Sequence, residues 1–193
     1  MKKTVLLLLL CLLFTSCSSA SSSDNVEPSS SDSSSIVYED IKVKNIVFPA
    51  SAELSLVSWK DYLYTLSHND EYTISVYMYD LSDLDSSSKS RYVINKEENA
   101  KFWFASMDLL DASENAADTV SSTKELSNTG FTIFTLSRDD TSAFYATQVV
   151  DDIYYIIILS NGKMYNSFDG NSNKDISEYY DSFCDIVNSV KPV

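Results

Sequence analysis

His68 is the only histidine in the chain, so any chemistry that needs an unperturbed base near neutral pH has to run through it. It lies in the cluster Ser67-His68-Asn69-Asp70, whose residue types make a solvated turn rather than one corner of a hydrolytic triad. Cys184 could serve it as a nucleophile, but it sits beside an apolar helical stripe, where a free thiol packs as a small hydrophobe. Asp169, Asn171, Asn173 and Asp175 place oxygen ligands at alternate positions, as a calcium loop does. Lys174 stands where such a loop needs glycine, and Tyr180 rather than Glu fills its twelfth position; a polar turn leading into a helix cap at Asp175 explains the same residues. Asp80, Asp83 and Asp85 form a second acidic group in a loop ending in Ser86-Ser87-Ser88, which reads as solvated. The glycines Gly130, Gly162 and Gly170 each fall at an expected turn, so neither a phosphate loop nor a dinucleotide fingerprint can be written. No cofactor or metal follows from these residues. Tyr62, Tyr64, Tyr77 and Tyr79 are candidates for an exposed aromatic face that meets a partner or a carbohydrate, while Tyr145, Tyr154, Tyr155, Tyr179 and Tyr180 read as packing residues.

Charge narrows the partners. Asp and Glu number 28 against 14 Lys and Arg, a net charge of −14, which becomes −16 once Lys2 and Lys3 are removed with the leader described next. Nucleic acid binding needs the opposite sign, and anionic lipid headgroups are repelled by the same surface. Attachment to a membrane then has to be covalent or carried by a partner.

Residues 1–20 read MKKTVLLLLLCLLFTSCSSA: two lysines, an apolar run from Val5 to Phe14, then small and polar residues, the pattern of an export signal. The run is shorter than the ~20 residues that span a hydrocarbon core. Phe14-Thr15-Ser16-Cys17 resembles the lipobox of bacterial lipoproteins, with Phe14 in the place usually held by Leu. The resemblance implies removal of residues 1–16, acylation of Cys17 with palmitate-type chains, and an extracytoplasmic protein anchored in the cell membrane or outer membrane. Cleavage after Ala20, at Ser18-Ser19-Ala20, is the competing reading and would release a secreted protein. If Cys17 is acylated, Cys184 has no disulfide partner, and stability must come from the core. Residues 17–35, dominated by serine, read as a flexible tether with a reach of roughly 20 to 25 Å.

Residues 36–193 then form one domain. Ile36 to Phe48 reads as a first strand, and Tyr62 to Leu66 with Tyr72 to Tyr79 as a hairpin around residues 67–70. Tyr72, Ile74, Val76 and Met78 alternate with Thr73, Ser75, Tyr77 and Tyr79, as in a half-covered strand. Asn95 and Glu98 have capping-box spacing before Ala100, Trp103, Phe104, Met107 and Leu110, predicting a helix to about Ser113, with a helical turn near Ala116 to Val120. Phe131 to Ser137, Phe144 to Val150 and Ile153 to Leu159 predict a three-strand meander, Asn161-Gly162 a type I′ turn, and Lys163 to Phe168 a fourth strand. Ile153 to Leu159 is apolar on both faces and therefore central. Asp175 and Glu178 open a closing amphipathic helix carrying Ile176, Tyr179, Tyr180, Phe183, Val187 and Val190, which Pro192 ends.

The expected fold is α+β, a predominantly antiparallel sheet covered by helices on both faces as a three-layer α/β/α sandwich. With GFTIFTLS, AFYATQVV, DIYYIIIL and ISEYYDSFCDIVNSV as carriers, the element order resembles the PsbP/Mog1-like sandwich, which implies a fold but no active site. The residues point to a non-enzymatic, membrane-anchored binding or accessory module whose partner is an envelope protein or an extracellular ligand. A carboxylate-based hydrolase acting on glycans and a protein that captures a small ligand are the alternatives.

Overall fold

Left-handed backbone at Lys44 (φ 54°) breaks the first apolar run in two, so the single strand expected over Ile36 to Phe48 is instead a tight hairpin. The computed structural model describes residues 37–69, 71–113, 115–160 and 176–193. The hairpin comprises β1 (Ile41–Val43) and β2 (Ile46–Phe48), antiparallel with Val43 opposite Ile46. A 3-10 turn, Ala50–Ala52, leads to β3 (Leu54–Lys60), β4 (Leu63–His68) and β5 (Tyr72–Asp80). Two short helices follow, α1 (Ser86–Ile94) and α2 (Lys96–Trp103), then a π-helical turn at Phe104–Asp108 and a 3-10 turn at Ala116–Thr119. β6 (Ser121–Leu126), β7 (Thr132–Arg138), β8 (Thr141–Val150) and β9 (Ile153–Ser160) complete the strands of the main sheet. A 3-10 turn, Ile176–Tyr179, opens α3 (Tyr180–Ser189), and Lys191–Pro192 forms β10.

The seven-stranded sheet is antiparallel throughout, in the order β3-β4-β5-β9-β8-β7-β6, and a three-stranded sheet runs β1-β2-β10. The meander and the central place of β9 agree with the sequence: Tyr154 to Leu159 are all buried. Its turns are tight because Asp139 and both Asp151 and Asp152 take positive φ, which short polar side chains tolerate.

The three-layer α/β/α sandwich is not what forms, and the fold implied by the resemblance falls with it. The described residues are mostly two antiparallel sheets with three short α-helices. The physical reason lies in how each face of the main sheet is filled. One face buries Leu66, Ile74, Val76 and Ile157 against Val43, Ile46 and Phe48 of the small sheet as well as Phe183, Ile186 and Val187 of α3. The other buries Tyr77, Phe134, Tyr145, Tyr154 and Ile156 against Ala100, Phe104 and Ala105. That second cover is thin, for α1 contributes no buried residue and α2 only Ala100.

Several local expectations are corrected as well. β5 is buried on both sides rather than half covered, since Ser75 and Tyr77 are as inaccessible as Ile74 and Val76. The helix expected from Asn95 to Ser113 is shorter: Leu110 has φ 52° and is exposed with Met107, and Asn95 makes no side-chain cap. α1, unmarked by apolar periodicity, is held at its start by Asp85, whose carboxylate accepts from Ser87 N at 2.8 Å and Ser88 N at 3.0 Å. α3 ends at Ser189, before Pro192, because Lys191 and Pro192 pair with β2. The Asn161-Gly162 turn, the strand at residues 163–168 and Asp169, Asn171, Asn173 and Asp175 lie outside the described residues.

Candidate functional site

β3 exists because Leu54, Leu56, Val57 and Trp59 are strand formers, and it stays at the margin because its outer side pairs with no other described strand. Its ladder with β4 runs Leu54 to His68, Ser55 to Ser67, Leu56 to Leu66, and then shifts, pairing Ser58 with Thr65 and Trp59 with Tyr64. Val57 is the extra residue of a β-bulge. Cross-strand partners share a face, so Leu54, Leu56, Trp59 and Tyr64 belong to the face that carries the small sheet. Ser55, Ser58 and Lys60 belong to the face that carries α2.

The cover over the sheet reaches Leu54, which is buried at the start of this strand, and gives out beyond it. Leu56 is 45% exposed, Val57 56%, Trp59 63%, and Tyr62 in the following turn 53%. Four large apolar side chains adjoining one unpaired edge mark a contact surface rather than scattered surface hydrophobics. The Trp59 and Tyr64 rings lie 6.5 Å apart at 32°. At the far end of β4, the Tyr38 hydroxyl donates to Asn69 Oδ1, and the Asp40 carboxylate accepts from Ala50 N at 2.8 Å. Tyr38 is thus held at the opposite end of β4 from Trp59 and Tyr62.

The four candidate tyrosines do not share a surface. Tyr62 is exposed and Tyr64 half-buried beside Trp59, whereas Tyr77 is buried and Tyr79 half-buried under Trp103, at ring distances of 5.4 and 5.5 Å. Burial pushes the Tyr79 hydroxyl up to about 12. Tyr77 and Tyr79 are therefore packing residues. Trp59, Leu56 and Val57, not singled out from the sequence, take their place at the surface. Their signal was present but interrupted: Leu54-Ser55-Leu56 and Ser58-Trp59-Lys60 each alternate, and the bulge residue Val57 hides the continuity.

The sheet's other margin, β6, also pairs with no described strand on its outer side, but its side chains are tied to the layers on both faces. Glu97 of α2 accepts from Ser122 Oγ at 2.5 Å and Lys124 Nζ at 3.0 Å, and also pairs with Lys101 at 3.3 Å. The Ser122 hydrogen bond, followed by that of Lys124, holds the Glu97 carboxyl down to about 2. From the other face Cys184 Sγ donates to Glu125 Oε1 at 3.3 Å. Burial first, then Glu125, raises that thiol to about 11, the reverse of what a nucleophile requires. Four strands, β5, β9, β8 and β7, separate β6 from the strand that carries His68.

His68 is not in a solvated loop: it ends β4, half-buried, and stacks on Tyr72 at 4.8 Å and 11°. It lines a cleft of about 200 Å³ with Glu53, Ser182 and Asp185. Ser, His and Asp meet there, a juxtaposition hidden by sequence separation, yet the Ser182 hydroxyl is hydrogen-bonded to Tyr72 at 2.5 Å. His68 Nδ1 has no hydrogen-bond partner among the described residues, so no activated serine results. A second cleft, about 250 Å³, lies between β8 and the small sheet, lined by Ile46, Phe131, Gln148 and Val190. Both fall below the ~300 Å³ at which ligand pockets begin. The acidic loop is structural: Asp80 accepts from Ser82 N at 2.8 Å and Asp85 caps α1. Among the described residues no three His, Cys, Asp or Glu side chains gather as metal ligands.

Comparison with known proteins found no matching family model and no matching curated protein.

Proposed function

We propose that the chain is an extracytoplasmic lipoprotein, held in the cell membrane or outer membrane by acylated Cys17, that works as a non-enzymatic binding or accessory module and meets its partner through the β3 edge. The observation that carries the binding half is the unpaired strand with Leu56, Val57, Trp59 and Tyr62 beside it. Protein surfaces of this kind accept an added strand, the backbone supplying affinity and the flanking side chains register. The anchoring half is supported by Phe14-Thr15-Ser16-Cys17 behind an apolar leader.

The test uses the full chain in a bacterial host. Labelled palmitate should enter the native chain and not Cys17→Ala. A photo-crosslinking residue at position 59 should give a protein adduct in intact cells, and the same residue at position 124 of β6 should not. Label that persists in Cys17→Ala sinks the anchor; absence of an adduct at position 59 sinks the binding edge.

A further inference from the structure

The bulge changes the point about which β3 can pair with itself. In strict alternation, residues related by reversal about a point between two neighbours always fall on opposite faces, so such a strand cannot pair with itself about that point. Here the extra residue, Val57, resets the alternation: Leu54 and Trp59 share one face, and Ser55 and Ser58 share the other. Reversing β3 about the Leu56-Val57 peptide therefore superposes Leu54 on Trp59 and Ser55 on Ser58 with faces preserved, and brings Leu56 to Val57. The same reversal brings Lys60, at the strand's end, to Glu53, the residue just before its start.

Resting on the reading of β3 as the docking edge, we infer that its occupant is a second copy of this chain, joined β3 to β3 antiparallel about a two-fold axis midway between the Leu56-Val57 peptides of the two copies. The two seven-stranded sheets then run on as one, each with its small-sheet face on the same side. A two-fold contact is self-complementary and closes on itself, so it consumes both open edges without starting a fibre. Opposite charges meet at both ends, Glu53 of each copy beside Lys60 of the other, and Lys60 is the only charge within the strand. Leu56 of one copy meets Val57 of the other, and Trp59 comes beside the end of the strand where Leu54 is already buried, so the exposed apolar side chains are covered.

Disulfide trapping in intact cells tests the register. Two differently tagged full-length chains, both Cys184→Ser, carry Ser55→Cys on one and Ser58→Cys on the other. Directly opposed residues have Cα atoms ~4.5 to 5.5 Å apart, within disulfide range. The mixed pair should oxidise to a covalent dimer, and Ser55→Cys with Ser55→Cys should not. Adding Lys60→Glu to both chains should lower the yield roughly fivefold, since two symmetry-related exposed pairs are lost at ~0.2 to 1 kcal/mol each. Adding Glu53→Lys as well should restore it. No mixed dimer, equal yields from both pairings, or failure of the charge exchange to restore the yield overturns the second copy. If position 59 instead crosslinks only to a different protein, the binding edge stands and the self-pairing does not.

Discussion

β3 and β6 bound the same antiparallel sheet, and they are finished in opposite ways. β6 is polar from Ser121 to Glu125, ends in the exposed Leu126, and is gripped from both faces, by Glu97 of α2 on one and Cys184 of α3 on the other. β3 is apolar, carries a bulge, and holds Leu56, Val57 and Trp59 in solvent. Charge on an edge strand and side-chain bridges to a covering layer are the devices by which a sheet refuses further strands. Placing them on one margin and leaving the other apolar separates two tasks: β6 is built for the stability of the domain, and β3 for what the domain meets.

The sharpest way to break the contrast is to release β6. Glu97→Ala removes the acceptor of Ser122, Lys124 and Lys101 together, three hydrogen-bonding or ionic partners on one carboxylate. The expected loss is ~1 to 3 kcal/mol in urea unfolding, the range for bonds to a charged group, with the lower part favoured because Lys124 is solvent-exposed. Hydrogen exchange should localise the loss, with the β6 amides exposed first and those of β9 unchanged. Equal protection of β6 in the variant and the native chain would show that the clamp does not hold the edge.

Acid should loosen the same margin more gently. Glu97 has a folded-state pKa lowered to about 2, against ~4.3 in an unfolded chain. A depressed carboxylate contributes stability that is present above the unfolded value and lost as pH falls toward the folded one. The window is therefore from about pH 5 down to about 2. Asp111, lowered chiefly by Arg138, titrates over a similar range, so the informative measurement is a difference. Stability of Glu97→Gln should fall less steeply with pH than that of the native chain across this window, and parallel curves would remove Glu97 from the account.

How far the sequence could be read follows from where signals are local. The meander β7 to β9 was legible because its strands are long, rich in β-branched and aromatic residues and parted by Asp-rich turns. β9 was legible as central because Tyr154 to Leu159 leave no polar face. Both margins were missed for physical reasons. β6 carries no apolar periodicity, as its holding residue, Glu97, is 25 positions from Ser122. β3 is periodic only once Val57 is skipped. The layer arrangement went wrong because two three-residue strands and a C-terminal strand of two were invisible to pattern reading, and together with α3 they fill a face assigned to helix alone. Of the candidate aromatics, Tyr62 is exposed and Tyr64 half-buried, but Tyr77 and Tyr79 look no different in sequence. What buries them is Trp103, a contact set by the packing of α2.

The smallest expected change is also the one that separates the two margins most cleanly. Val57→Lys replaces an exposed bulge residue, so the folded domain loses little burial and gains a side chain free to extend into water. Unfolding free energy should move by no more than ~0.5 kcal/mol, as for surface substitutions away from caps and buried networks. The docking edge, however, would then carry a charge at the centre of its apolar stretch, the standard device for preventing strand addition. Near-native stability with loss of the position-59 adduct is the expected pair of results. A large stability loss would mean that Val57 is already covered within the domain, and β3 would be a second closed margin rather than an open one.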